Sequence, residues 1–109
     1  MKIQFIPISR KTPTYSFLGE KITVHHDNQS EEIDISDFPE SAVFKGVEPD
    51  KISLKGSHII RNIERKDEEL YVSVCKQHPP GGHWLESDWI DSDDYDPNEV
   101  YIKEVSNDN

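Results

Sequence analysis

The sequence predicts an all-β, mostly β domain: a small antiparallel sandwich or partly closed barrel of about seven short strands, with at most one or two short helical turns. Three observations carry this. Apolar residues recur at every second position in short runs, β-branched and aromatic residues dominate those runs, and Gly, Pro, Asn and Asp collect between them. Residues 1–105 are expected to form one domain, and 106–109 a frayed tail.

Taken in order, Ile3 and Phe5 alternate with Lys2 and Gln4, so one side of the first strand is apolar. Tyr15 and Phe17 share a face of the second, and Ile22 and Val24 share a face of the third. The polar stretch from His25 to Ser30 reads as the loop of a hairpin, returning through Ile33 and Ile35. Pro39 forbids a central strand and suits the first turn of a helix. Gly46 to Asp50 is a break, and Ile52 and Leu54 predict a short strand ended by Gly56.

The clearest element is a second hairpin. Ile59 to Glu64 runs through the charged link Arg65 to Glu69 into Leu70 to Cys75. Leu70, Val72 and Val74 lie on one face; Tyr71, Ser73 and Cys75 lie on the other. His78-Pro79-Pro80-Gly81-Gly82-His83 turns the chain. From Trp84 to Ile90 the apolar positions are 84, 85, 89 and 90, a spacing that fits a helical turn or a bent strand equally. Asp91 to Asn98 is an acidic loop, and Val100 to Val105 is the last predicted strand, with Val100 and Ile102 on one face.

Composition narrows the functional classes. The chain has 109 residues and one cysteine, Cys75, so neither an internal disulfide nor a thiolate-rich zinc site can form. A lone thiol suits a reducing cytoplasm. Residues 1–7 lack the apolar core of a signal peptide, and no stretch reaches the ~18–20 apolar residues of a membrane span. The expected location is cytoplasmic.

The net charge is −10, and residues 86–109 hold nine acids against one base, a local −8. Phosphate contacts and anionic membranes require clustered Lys and Arg. Neither direct nucleic-acid binding nor membrane binding is expected.

No catalytic constellation appears, and no cofactor is expected. Cys75 alternates within a strong strand, where a buried structural thiol is the common outcome. No serine has a nucleophile-elbow context, and Gly81-Gly82 follows two prolines rather than a strand. His78 and His83 flank a turn and could join His58 or a carboxylate around zinc, although nothing in the spacing specifies this. Adjacent His25 and His26 point to opposite faces of a strand. Asp94, Asp96 and Asn98 match the first three ligand positions of an EF-hand loop, but Glu99 stands where its glycine belongs and Val105 where its bidentate glutamate belongs. A solvated acidic loop is the simpler reading. The candidate partner-binding residues are Trp89, as an interface aromatic, with Asp88, Asp91, Asp93, Asp94, Asp96 and Glu99 around it. Trp84 is expected in the core.

One order of motifs carries a resemblance: Gly19-Glu20-Lys21-Ile22-Thr23-Val24; then Glu32-Ile33-Asp34-Ile35-Ser36 with Phe38-Pro39-Glu40; then Ile63 to Val74; then His78-Pro79-Pro80-Gly81. Over roughly residues 19–85 this resembles a family of small uncharacterised proteins of tailed bacteriophages and prophages, encoded near tail genes. The resemblance implies a non-enzymatic accessory protein of the bacterial host cytoplasm that binds phage or host proteins, as a tail component or assembly factor. Relatives carry Asp-Gly at the hairpin turn; here Glu68 takes the glycine's place, and a turn of another type is expected. Two rival readings stand beside it. One is an acidic mimic of nucleic acid that occupies a basic host protein; the other is a metal-dependent enzyme built on His78, His83 and nearby acids.

Overall fold

A computed structural model describes residues 1–9, 11–26, 28–40, 43–44 and 60–105, with the backbone alone for 26, 43 and 44. Among these described residues ten strands follow in chain order: β1 (Lys2–Ile8), β2 (Thr14–Leu18), β3 (Lys21–His26), β4 (Gln29–Asp34), β5 (Val43–Phe44), β6 (Ile60–Lys66), β7 (Glu69–Gln77), β8 (His83–Leu85), β9 (Ile90–Asp91) and β10 (Lys103–Val105). One 3-10 turn, Ser92–Asp94, is the helical structure among the described residues. The chain is mostly β, as its alternation dictates. None of its helices, among the described residues, is long and apolar enough to cross a membrane.

The strands form three open sheets. Five are ordered β5-β6-β7-β1-β9, three form the meander β2-β3-β4, and β8 pairs with β10. The apolar faces of the first two sheets meet in one core. Ile3, Phe5, Val72, Val74, Ile60 and Ile63 come from one side; Tyr15, Ile22, Val24 and Ile33 come from the other. This is a small sandwich, and none of its sheets closes into a barrel.

One expectation needs correction. The sandwich is not wholly antiparallel, because β1 runs parallel to β7, from Lys2 opposite Tyr71 to Ile8 opposite Gln77. Alternation assigns faces to a strand, not neighbours, so it could not reveal this. The burial of β7 fits a central strand covered on both sides: Val72, Ser73, Val74 and Cys75 are all buried in succession. A bulge in β6 between Ile60 and Asn62 lets Arg61 reach the Cys75 side of the sheet. Its Nε donates to Cys75 Sγ at 3.0 Å.

The hairpin turn also differs from expectation. Lys66 pairs with Glu69, leaving Asp67 and Glu68 as a two-residue link with φ of 50° and 73°. Positive φ at both positions is the signature of a type I′ turn, the kind that Asp-Gly makes. Glu68, an L-residue, thus holds a conformation that glycine enters freely.

Arg65 explains how the two main sheets are joined at this end. It lies on the core face beside Ile63, and its side chain is only 13% exposed. Nε donates to the Phe38 carbonyl at 2.6 Å. The two terminal nitrogens grip the Glu20 carboxylate at 2.9 and 3.2 Å. They also reach the carbonyls of Glu68 and Ser36. One planar fork thus ties the β2–β3 turn, the segment after β4 and the β6–β7 hairpin together.

Smaller differences concern element ends. His25 and His26 belong to β3, and Gln29 and Ser30 to β4, so most of the predicted loop is strand. The last strand is only Lys103–Val105; Ile102 is 5% exposed while Val100 is 66% exposed, so the two do not share a face. The strand expected at Ile52 and Leu54, the body of the helical turn expected after Pro39, and the tail 106–109 lie outside the described residues.

Candidate functional site

The segment 84–91 answers the ambiguity left by its spacing: it is neither helix nor continuous strand, because Ser87 interrupts it. Ser87 is buried against the edge of β1. Its N–H donates to the Phe5 carbonyl at 3.0 Å, and its Oγ accepts the Phe5 N–H at 2.8 Å. The same hydroxyl donates to the Asp88 carbonyl, while Gln4 Nε2 reaches the Ser87 carbonyl at 3.2 Å. A serine therefore does the work of a strand residue and seals the edge beyond β9.

This seal positions Trp89. Tyr71 stands on the outer face of β7, in register with Lys2 of β1 and Glu64 of β6. Trp89 meets its ring edge-on at a centroid distance of 5.4 Å and an angle of 84°. Lys66 Nζ sits 5.2 Å from the Tyr71 centroid, and Lys2 pairs with Asp91 at 3.3 Å. Trp89 rests against Tyr71 yet remains 41% exposed. A half-open tryptophan packed against an aromatic neighbour presents apolar area of the kind that anchors interfaces.

The six acids predicted around it do not act as one array. Asp88 pairs with Lys103 at 2.7 Å. Asp91 caps the 3-10 turn by accepting the Asp93 N–H at 3.0 Å and also faces Lys2; these two contacts, in that order, hold its carboxyl below the usual carboxylate range. Asp96 accepts the Asn98 N–H at 2.9 Å within its own turn. The carboxylates of Asp93, Asp94 and Glu99 face solvent and make no hydrogen bond or ion pair among the described residues. Beneath the loop, Tyr95 and Tyr101 pack on Phe5 at 5.5 and 5.6 Å. Burial, then the proximity of Tyr101 and Asp96, raises the Tyr95 phenol above its ordinary range.

His25 lies 2.9 Å from Ser16 Oγ, and His83 is exposed at the start of β8. His78 Nδ1 is 2.7 Å from the Pro79 carbonyl oxygen, so that nitrogen carries the proton; its ring stacks on Trp84 at 6.3 Å. Trp84 packs at the margin of the core and donates from Nε1 to the Gly81 carbonyl. Among the described residues, no three His, Cys, Asp or Glu side chains gather as a metal-binding group; His58 lies outside them.

The structure adds a feature that the sequence concealed. A cleft of about 370 Å³ opens where β7 runs out into the prolines. Ile102 forms its floor, Val100, Pro79 and Pro80 its apolar walls, and Lys76 and His78 its polar side. Val100, which the period-two reading placed in the last strand on one face with Ile102, instead stands 66% exposed at its mouth.

No protein-family model, curated protein or solved structure matches this chain.

Proposed function

We propose that the chain is a protein-binding module without chemistry of its own, serving as an accessory protein of a tailed phage or prophage in the bacterial cytoplasm. The observation that carries the binding reading is Trp89, packed edge-on against Tyr71 yet 41% exposed. Trp and Tyr are enriched at the energetic centres of interfaces, and the flanking pairs Lys2–Asp91 and Lys66–Glu64 supply a polar rim. The phage and tail assignment rests on the motif order described above.

The open carboxylates of Asp93, Asp94 and Glu99 favour the second reading, a mimic that occupies a basic protein. It is weakened by the internal use of Asp88, Asp91 and Asp96, half of the predicted array.

Capture from phage-infected bacterial lysate, washed at low and then high salt and read by mass spectrometry, separates the two. Trp89→Ala is expected to release a salt-resistant partner, with an affinity loss of about thirtyfold if Trp89 is worth ~2 kcal/mol at the interface. A partner that salt removes, that ignores Trp89→Ala and that is lost in the triple variant D93N/D94N/E99Q would transfer the assignment to the mimic. Turnover of a substrate that disappears with a single carboxylate or histidine would remove both.

A further inference from the structure

The geometry points to a second recognition site: the cleft between the end of β7 and residues 100–102 takes the C-terminal residue of a partner polypeptide, its carboxylate on Lys76 and its apolar side chain over Val100 and Ile102. This rests on the protein-binding reading and names a chemistry for the partner.

The first argument is charge. In this acidic chain the described cations are nearly all engaged. Lys2, Lys21, Lys66, Lys103 and Arg65 each face a carboxylate, Arg61 faces the Cys75 sulfur, and Lys11 also has a partner. The Lys76 side chain makes no hydrogen bond or ion pair among the described residues, and it lines the cleft. An anion arriving there meets a positive charge that no acid among the described residues has neutralised.

The second argument is shape. The volume of about 370 Å³ lies in the lower part of the range for ligand sites. The floor is apolar, and Val100, 66% exposed, leaves one wall open to solvent. Such a site holds one side chain and a terminal group rather than engulfing a ligand, so the rest of the ligand continues outward as chain. The backbone on the β7 side offers little competition, because the Gln77 N–H donates to Thr12 Oγ1 and the His78 N–H to the Ile8 carbonyl, both at 3.0 Å. Recognition therefore falls to side chains: the Lys76 ammonium beside the Gln77 amide and the His78 ring, with the apolar walls. Glu99 precedes Val100 in the chain, so its repulsion sets a limit on affinity that salt weakens.

The test is an NMR titration of the full chain with N-acetyl-Gly-Ser-Leu at about 0.15 M salt. Its C-terminal amide and octanoate serve as the comparison arms. The free acid is expected to shift the methyl signals of Val100 and Ile102 saturably and to bind about five- to tenfold tighter than the amide, the range for one partly exposed charge-assisted contact. Lys76→Met should bring acid and amide together, while Lys76→Arg keeps them apart. Equal binding of acid and amide to the unmodified chain, or shifts that avoid 100 and 102, overturns the proposal without any variant. Octanoate binding as tightly as the peptide overturns the polypeptide assignment in favour of a free apolar acid. Trp89→Ala should leave this titration unchanged, so failure of the Trp89 interface and failure of the cleft are read separately.

Discussion

Replacing Glu68 with glycine should stabilise the protein. Glu68 sits at φ 73° and Asp67 at φ 50°, and nothing about the link permits either to relax while Lys66 still pairs with Glu69. The left-handed region costs an L-residue roughly 1–2 kcal/mol, whereas glycine enters it freely. Against this stands the greater freedom of glycine in the unfolded chain, about 0.5–1 kcal/mol. The Glu68 side chain is exposed, and its contribution to the Arg65 fork is a main-chain carbonyl that glycine retains. The net expectation for Glu68→Gly is a gain of roughly 0.5–1 kcal/mol, or about 2–6 °C in Tm for a domain of this size. Glu68→Val should lose stability, since a β-branched residue tolerates positive φ least. Asp67→Gly should gain less, because aspartate enters the left-handed region more readily than glutamate. Thermal unfolding followed by circular dichroism, with urea melts for confirmation, reads all three. If Glu68→Gly leaves Tm unchanged or lowers it while Glu68→Val is neutral, the type I′ assignment and the strain argument both fail.

Two other perturbations probe the frame. Arg65→Ala removes a fork that serves Glu20 and three carbonyls, and should cost on the order of 2–4 kcal/mol, measured by urea denaturation; Arg65→Lys should recover little of it, since a point charge cannot serve a bidentate carboxylate and separate carbonyls together. Asp91→Asn should flatten the acid limb of the stability curve. The folded carboxyl is depressed below its unfolded value of ~3.9, so its contribution is present above that pH and fades as pH falls through the folded value; a variant whose stability falls between pH 5 and 2 as steeply as the parent contradicts the cap and Lys2 assignment.

The core was legible in the sequence because burial in a two-faced sheet is written as alternation. Ile3, Phe5, Ile22, Val24, Leu70, Val72 and Val74 were placed by that rule alone, and all are buried. What alternation cannot write is adjacency. The parallel β1–β7 pair joins residues 69 positions apart, with no local signal in either strand. The seal by Ser87 escaped for a related reason: a polar residue amid apolar ones reads as an exposed position, yet here its hydroxyl replaces a strand partner. Val100 was misplaced because β-branched identity was read as burial. The division of the acids into structural and open groups depends on where Lys2, Lys103 and the 3-10 turn lie, which the sequence does not state.

The parallel pairing of β1 with β7 also shapes how the chain is made. Strands β2, β3 and β4 are consecutive and can close their meander soon after they leave the ribosome. Strand β1 emerges before them, yet its two neighbours, β7 and β9, are encoded 69 to 89 residues later. At ~5–20 residues per second, β1 waits roughly 3–18 s for both of its edges to be covered. During that interval Ile3 and Phe5 belong to an unpaired apolar strand. Nascent-chain handling, rather than the final sandwich, is then the stage at which this sequence is most exposed to mispairing, and a slow-translating stretch between β1 and β7 would lengthen that exposure.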